Sequence, residues 1–384
     1  MKKAYPSRKL EASGLPSMAA ALAASSILLC GLDAQAVGVH KFALVTTPST
    51  STGNFISAPL HKPRVWRGTV ESVAGNVITV SGVTLPAGLG RRDGNGTLNP
   101  AGFAQCIVIL RWDASATYPA NGNAGDWWSI DSSTGTTLTV TSGLQAPSAS
   151  LAVGDRVEVL PLTSLRDVFG GPGGPTTILN KDSNGAASIG EEDVIFFTSG
   201  TSFSTDIIFH NGALTGGIEG YIVAGDGPFD GQFITLGPDQ AVFVFRKNGT
   251  ANVNAFNAGH AHRAPLSHLF SSAPGSASVA STFGTGFPAN AAIGASSLQS
   301  SGIIEDSNGA ASIGEEDVMF EVTGTSFSTD IIRHDGTLNG GVKVWIEAGN
   351  PDDNYPLQSG RGHYFFRRPN QSTLVWRQAV PFRL

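Results

Sequence analysis

The stretch DSNGAASIGEEDV occurs twice in this chain, at residues 182–194 and again at residues 306–318, without a single difference. The likeness continues beyond it, because 28 of 36 positions are identical between residues 182–217 and 306–341, with no gap. Chance does not produce ungapped identity at this level. We therefore infer an internal duplication.

Each copy has the pattern of a β-meander. In the second copy, SFSTDIIRH, VKVWIEA and HYFFRR are rich in β-branched and aromatic residues, and Asp-Gly or Gly-Gly pairs separate such runs, as is typical of strands joined by turns. Two copies are too few for a solenoid. We predict two duplicated β-meander modules, at residues 170–270 and 303–384, that either pair as two lobes or stand as independent modules.

A third β region precedes the modules, at residues 64–169. GTVESVAGNVITVSG holds two alternating runs around Gly75-Asn76, which is a hairpin signal, and DSSTGTTLTVTSG repeats it. VGDRVEVLPL predicts a strand whose Val157, Val159 and Leu160 point inward. Helical periodicity is limited to a short turn at residues 162–169. The sequence thus predicts an all-β protein whose N-terminal domain is a small β-barrel or sandwich.

The remaining segments have the composition of connections. Residues 37–63 include a Thr/Ser/Pro stretch and are predicted to be an N-terminal extension and linker. The run GGPGGP at residues 170–175 contains no good helix or strand former and predicts a boundary. Residues 271–302, rich in Ser, Ala and Gly, indicate a flexible connector or a long surface loop between the modules.

Residues 1–36 have the pattern of a secretory signal peptide. Four basic residues come before an apolar stretch, and Ala34-Gln35-Ala36 supplies a small-x-small cleavage site. An uncleaved membrane anchor is the alternative, although Ser25 and Ser26 dilute an apolar stretch that is short for a span. We expect an exported protein, located in the periplasm, on the cell surface or outside the cell.

Composition supports export and excludes one class of partner. Charged residues make up 14% of the chain, against roughly 25% in typical soluble domains. Without residues 1–36, 20 basic residues face 28 acidic ones, a net charge of −8. No basic cluster offsets this charge, which argues against a nucleic-acid partner. No later apolar run is long enough to span a bilayer, so no integral membrane segment is expected after signal cleavage.

Several features together resemble a known family. They are the signal peptide, the β region, the stretch VGDRVEVLPLTSLRDVF, the Gly/Pro hinge and a segment that ends in FVFRK or YFFRR. This organisation is similar to an uncharacterised family of exported proteins known chiefly from Verrucomicrobia. The resemblance implies secretion but no activity, cofactor or catalytic residue, and the duplication departs from the single-copy plan that it implies.

The duplicated stretch has the spacing of a calcium loop. Counted from residue 180, oxygen-bearing side chains fall at the positions that an EF-hand loop uses, and these candidate ligands are Asn180, Asp182, Asn184, Ser188 and Glu191. A hard cation needs about six to eight oxygens in such a loop. Ca²⁺ is therefore the one cofactor that the sequence suggests, in a chain that otherwise carries no cofactor motif.

A turn explains the same residues without a metal. The flanks of the stretch are β-like, and the second copy has Ile304 at the first ligand position, where it cannot coordinate a cation. Asp182 or Asn184 can form an Asx-turn, and Ser188 with Glu191 matches a capping box. Both interpretations stay open at the level of sequence.

A cluster of aromatic residues forms a second candidate site. Trp112, Tyr118, Trp127 and Trp128 surround the loop YPANGNAGDWW, and exposed tryptophans in secreted β domains often stack on sugar rings. Core packing is the alternative, and at least one of two adjacent tryptophans should face inward. The partner classes carried forward are a carbohydrate or another envelope protein.

Enzyme motifs are mostly absent. The chain has no H-E-x-x-H, no phosphate loop and no cysteine with a plausible base. His260, His262 and His268 are either metal ligands or histidines of a surface loop, and His210 and His334 are expected at the ends of hairpin strands. We predict a non-enzymatic exported β protein, a structural or ligand-binding component of the cell envelope or extracellular space. The alternatives are a secreted glycan-active hydrolase with paired carboxylates and a calcium-stabilised binding module.

Overall fold

Strands carry nearly all of the regular structure, which confirms the all-β class. The computed structural model describes residues 37–47, 49–116, 122–141, 145–184, 192–199, 202–213, 215–223, 226–262, 265–271, 275, 278–308, 315–323, 326–337, 340–347 and 349–381. Val37–Leu384 cluster as one unit. In these ranges, no helix combines the length and the apolar character that a membrane crossing requires.

Two strands, β1 (Val37–Leu44) and β2 (Thr52–Ser57), lie ahead of a closed six-stranded barrel. The barrel strands follow the order β3-β4-β7-β6-β5-β8 around the wall. Their bounds are β3 (Trp66–Ala74), β4 (Val77–Ser81), β5 (Cys106–Trp112), β6 (Trp127–Ser133), β7 (Thr137–Val140) and β8 (Arg156–Pro161), with the helix α1 (Pro147–Ser150) before β8.

Local turn chemistry explains how the barrel forms. The β3-β4 hairpin turns at Gly75, whose φ of 58° lies in the left-handed region, where glycine carries no Cβ penalty. Both predicted hairpins, β3-β4 and β6-β7, are confirmed by their antiparallel pairing. Val157 and Val159 of β8 belong to the barrel core, as expected, whereas Leu160 is buried in a separate cluster with Leu266 and Phe287. Of the two architectures that the sequence allowed, the structure has the barrel.

The first copy of the duplicated unit continues directly from the barrel. Its elements are β9 (Thr163–Ser164), α2 (Leu165–Phe169), β10 (Val194–Ser199), β11 (Ser202–His210), β12 (Gly220–Val223), β13 (Asp226–Phe229), β14 (Thr235–Leu236), β15 (Ala241–Arg246) and β16 (Val253–His260). A six-stranded sheet has the order β13-β12-β11-β10-β15-β2, while β1 pairs with β16 and β9 with β14. A capping box between Ser164 and Asp167 starts α2, which confirms the helical turn predicted there.

The second copy repeats this plan strand by strand. Its elements are β17 (Leu266–Phe270), β18 (Val279–Gly284), β19 (Ala291–Ala292), two 3₁₀ turns (Ile293–Ala295 and Leu298–Ser300), β20 (Val318–Thr323), β21 (Ser326–His334), β22 (Val344–Glu347), β23 (Asn350–Pro351), β24 (Pro356–Leu357), β25 (Gly362–Arg367) and β26 (Leu374–Gln378). The sheet order is β18-β25-β20-β21-β22-β23, with β17 paired to β26 and β19 to β24.

The matching orders show that the barrel is an insertion. β2 and β18 occupy equivalent sheet positions next to β15 and β25, and β9 and β19 occupy equivalent positions next to β14 and β24. In the second copy, residues 285–290 join β18 to β19. In the first copy, the corresponding connection from β2 to β9 contains the whole barrel.

Two segments predicted to be connections are in fact strands of the duplicated unit. Residues 37–63, expected to be an extension and linker, supply β1 and β2, which pair with β16 and β15. Residues 271–302, expected to be a flexible connector, supply β18, which pairs with β25 along its whole length, and β19. Their Ser, Thr and Gly content hides strands whose partners lie far away in the sequence.

The two copies pack against each other. Each has its own core, and a further cluster joins Phe55, Phe243 and Phe245 of the first sheet to Tyr364 and Phe366 of the second. The rings of Phe55 and Tyr364 stack at 5.1 Å between centroids. Of the two alternatives for the duplication, the structure has paired lobes.

Candidate functional site

The duplicated stretch of the second copy contains three carboxylates that converge. One oxygen each of Asp306, Glu315 and Glu316 lies within 4.8 Å of the others. Asp306 and Glu316 are buried, whereas Glu315 is exposed. In the described part of the chain, this is the group of three or more potential ligand residues close enough to hold one metal ion. We call it the carboxylate cluster.

Backbone pairing fixes the position of Asp306. Its amide donates to the carbonyl of Arg333, and its carbonyl accepts from the amide of Asp335, so that Asp306 forms a parallel bridge beside His334. Its Oδ1 accepts from the amide of Asn308 at 3.1 Å in an Asx-turn, which confirms the predicted turn. The turn and the metal interpretation are therefore compatible, because the same residue serves both.

His334 lies directly behind the cluster. Its Nδ1 accepts a hydrogen bond from the amide of Gly336 at 2.9 Å, so the neutral ring carries its proton on Nε2. This Nε2 is buried, has no hydrogen-bond partner among the described residues, and lies 3.8 Å from Asp306 Oδ2. The N–H of the histidine therefore lies beside the Asp306 carboxylate without forming a hydrogen bond to it, in the place where metal-binding carboxylates commonly have an outer partner.

The first copy reproduces this arrangement. Asp182 Oδ2 lies 3.6 Å from His210 Nε2, and His210 Nδ1 accepts from the amide of Gly212 at 2.9 Å. Asn184 donates its amide to Asp182 Oδ1 at 3.2 Å. Glu192, the equivalent of Glu316, is fully buried. Both histidines stand at the ends of strands, as the sequence predicted.

The predicted calcium ligands divide into three groups. Asp182 and Asn184 lie together in the turn. Asn180 does not face them: its side-chain amide donates to Asp193 Oδ1 at 2.9 Å. Ser188 and Glu191 lie outside the described residues. Because Asn180 is hydrogen-bonded to Asp193, Ile304 at the equivalent position of the second copy does not replace a metal ligand. Ile304 is therefore no argument against a metal in the second copy.

The aromatic residues of the predicted carbohydrate platform do not share one surface. Trp112 is 48% exposed, with the Arg156 guanidinium 4.6 Å above its ring. Trp128 is fully buried in the barrel core, and its Nε1 donates to the carbonyl of Gln145. Trp127 is half-buried at the junction with the second copy, and Tyr118 lies outside the described residues. The core-packing alternative is correct for Trp128.

The histidines of GHAHRAPLSH are not on a surface loop. His262 and His268 are 2% and 0% exposed. The rings of His61 and His262 lie 4.5 Å apart between centroids. Burial lowers the pKa of His61 and of His268 to about 4, and it holds the pKa of His262 well below its ordinary value. These side chains are neutral at physiological pH, and none belongs to the cluster of described metal-ligand candidates.

Sequence reasoning missed the acidic residue at the end of the loop. Adjacent residues of a regular strand point to opposite faces, yet Glu316 and Asp317 are both buried, as are Glu192 and Asp193. The available signal was the identity of GEED in both copies, because buried carboxylates tolerate replacement poorly. The Asp-His contacts were beyond reach, since 28 residues separate each pair.

Comparison with protein-family models, with curated proteins and with solved structures gave no match to this chain.

Proposed function

We propose that the chain is a non-enzymatic exported β protein, a structural or ligand-binding component of the cell envelope or extracellular space, whose duplicated loops bind a divalent cation. The observation that carries the cation is the approach of Asp306, Glu315 and Glu316 to within 4.8 Å, backed by the buried Nε2 of His334. Export remains a proposal that rests on the signal-peptide pattern of residues 1–36.

The ligand set favours calcium over softer metals. All three ligand atoms are carboxylate oxygens, which suit Ca²⁺, Mg²⁺ or Mn²⁺, whereas zinc and copper prefer nitrogen or sulfur. Glu315 is exposed, so one of the three carboxylates is in contact with solvent. Bringing three carboxylates together, two of them buried, costs free energy because like charges repel and because burial removes their hydration. A divalent cation offsets that cost.

Cavity lining supports binding rather than hydrolysis. A glycan hydrolase of the usual type places two carboxyl groups on opposite sides of the scissile bond. Four clefts in the described part of the chain are each lined by at most one carboxylate. We therefore favour the binding role over the hydrolase alternative.

A melting experiment on residues 37–384 tests the cation. With 5 mM CaCl₂ we expect a higher Tm than with EGTA, because an ion at about 100 times its Kd stabilises the native state by about 2.7 kcal/mol. Asp306→Asn combined with Asp182→Asn should abolish the difference. Glu71→Gln, which removes one exposed charge from the barrel, is the matched control and should keep it.

Isothermal titration with CaCl₂, MgCl₂ and MnCl₂ provides the second readout. Heat of binding that is lost in the double variant supports the proposal. Equal Tm with calcium and with EGTA, together with no heat from any of the three ions, would overturn it. Cell fractionation with an antibody against residues 37–384 tests export separately, and a wholly cytoplasmic signal would contradict it.

A further inference from the structure

A cleft of about 460 Å³ lies where the barrel and both copies meet. Its volume falls within the range of small-molecule binding sites. The barrel contributes Phe103 and Trp127, the first copy contributes Asp239 and Gln240, and the second contributes Thr282. The cleft exists only when all three parts of the chain have come together, and it is separate from the carboxylate cluster.

Trp127 is held in place at this junction. Its Nε1 donates to the carbonyl of Ser267 at 3.0 Å. Ser267 belongs to β17 of the second copy. The ring is half-buried and forms part of the cleft wall, together with Phe103 and Phe197. A fixed, half-buried indole that lines a cleft provides a surface on which a flat, partly apolar ring can stack.

Asp239 lies in the cleft, and no Lys or Arg among the described residues forms an ion pair with it. Its Oδ2 is 3.8 Å from Nδ1 of His268, which is fully buried. His268 Nε2 contacts Gln378 Oε1 at 3.0 Å, so the ring proton lies on Nε2 and an Nδ1 lone pair faces the carboxyl group. Burial lowers the pKa of His268 to about 4 and raises that of Asp239 to about 7. Both groups are consequently uncharged in mildly acidic solution.

The second charged residue of the cleft is already neutralised. Arg91 Nε donates to Asp131 Oδ1 at 2.5 Å, and its other nitrogens donate to the carbonyl of Gly102 and the hydroxyl of Thr141. In mildly acidic solution, a charged ligand would therefore find no free counter-ion among the described residues of the cleft. The polar groups that remain are the Asp239 carboxylic acid, which both donates and accepts, and Nε2 of Gln240, whose Oε1 already accepts from the amide of Gly237 at 2.9 Å.

We propose that this cleft binds a neutral, hydroxyl-rich ring, the sugar unit of a glycan, which stacks on Trp127 and hydrogen-bonds to Asp239 and Gln240. Aromatic stacking combined with a few hydroxyl-binding polar groups is the chemistry that recognises a sugar ring. The predicted carbohydrate site thereby moves from the barrel loop to the junction, and Trp112 and Trp128 take no part in it.

Tryptophan fluorescence titration of residues 37–384 tests the proposal, with cellohexaose, chitohexaose and maltohexaose as probes at pH 5.5 and pH 8.5. We expect saturable binding of at least one hexasaccharide, weakened at least tenfold by Trp127→Ala and unchanged by Trp112→Ala. Asp239→Asn should bind equally at the two pH values, whereas the unmodified chain should bind several-fold more weakly at pH 8.5.

Two further variants guard against a folding defect in Trp127→Ala. Trp127→Phe keeps a ring while it loses the hydrogen bond to Ser267, and should retain binding. Ala101→Trp adds bulk from the exposed rim of the cleft and should block binding without removing a contact. If no probe binds below about 10 mM, or if binding survives both Trp127→Ala and Ala101→Trp, the proposal is wrong.

Discussion

Asp317 and Arg367 form a buried ion pair that occurs again in the first copy as Asp193 and Arg246. In the second copy, Asp317 also accepts from the amides of Ile304 and Arg368. The carboxylate thus ties the segment before the duplicated stretch to the end of β25. Since the same three connections recur around Asp193, the pair is part of the ancestral unit that was duplicated.

Removal of the Asp317 carboxylate should be severely destabilising. Asp317→Ala leaves Arg367, which is 2% exposed, with an uncompensated charge, and we expect a loss of about 3–5 kcal/mol in the free energy of unfolding. Glu219→Ala is the control, because it removes the carboxylate of the exposed Lys181 ion pair and should cost at most about 1 kcal/mol. Urea denaturation measures both, and equal losses would contradict the prediction.

His363 should make the protein sensitive to acid. It is 1% exposed, neither ring nitrogen has a hydrogen-bond partner in the described part of the chain, and burial lowers its pKa to about 4. The unfolded chain therefore binds more protons below pH 6.5, and stability falls as the pH drops toward 4. From pH 6.5 to pH 5 this histidine alone accounts for about 2 kcal/mol.

The first copy supplies the matching variant. Val242 occupies the position of His363. Each is the second residue of its strand, β15 or β25, and each pairs with the equivalent residue of the neighbouring strand, Phe197 or Glu321. His363→Val should preserve stability at pH 7 and reduce the loss between pH 7 and pH 5, as measured by urea denaturation at both values. An unchanged acid loss would show that His363 does not titrate in this way.

Asp239 should act in the opposite direction. Burial raises its pKa to about 7 from a reference of 3.8, so the native state binds the extra proton and stability falls as the pH rises from about 4 to about 7. Asp239→Asn, which resembles the protonated acid, should match the unmodified chain at pH 4 and exceed it at pH 8 by about 2–4 kcal/mol. A constant difference across this range would refute the assignment. Differential scanning calorimetry across the pH series is the suitable measurement.

Arg377 should hold the barrel on the second copy. Its Nη2 donates to Asp126 Oδ2 at 2.8 Å, and Ser267 donates to Oδ1 of the same carboxylate, which is fully buried. Arg377→Ala leaves Asp126 without its cation and should cost about 2–4 kcal/mol. Hydrogen exchange should rise in β6 and β17 in particular. Arg361→Ala, which removes an exposed cation near β25, should leave exchange in both strands unchanged.

Much of the fold was predictable because its turns are local. Gly75-Asn76 marks a hairpin by chemistry that needs no distant partner, and Ser164 with Asp167 marks the start of α2 in the same way. The Asx-turns at Asp182 and Asp306 also follow from residues two positions apart. Such features depend on interactions within a few residues, which a single sequence contains.

Long-range pairing was not predictable. β1 pairs with β16 and β2 pairs with β15, although the whole barrel lies between them in the sequence. Gly53 and Asn54 of β2 are of residue types that are depleted in strands. His210 is buried beside Asp182 because the two residues form a parallel β-bridge. The alternation of apolar and polar residues along one strand does not reveal such a bridge to a distant segment. The candidate cation site was found from its turn residues, while Glu316 and the histidine behind it required the folded chain.

The insertion of the barrel sets a delay on folding. Val37 pairs with His260, so β1 leaves the ribosome well before its partner, by on the order of ten to forty seconds at ordinary rates of synthesis. The barrel, whose contacts are comparatively local, has time to close during that interval. While the barrel is being synthesised, β1 and β2 have no strand to pair with, and their backbone N–H and C=O groups stay unpaired. Unpaired strands promote aggregation, so the growing chain is exposed to aggregation at its beginning rather than at its end.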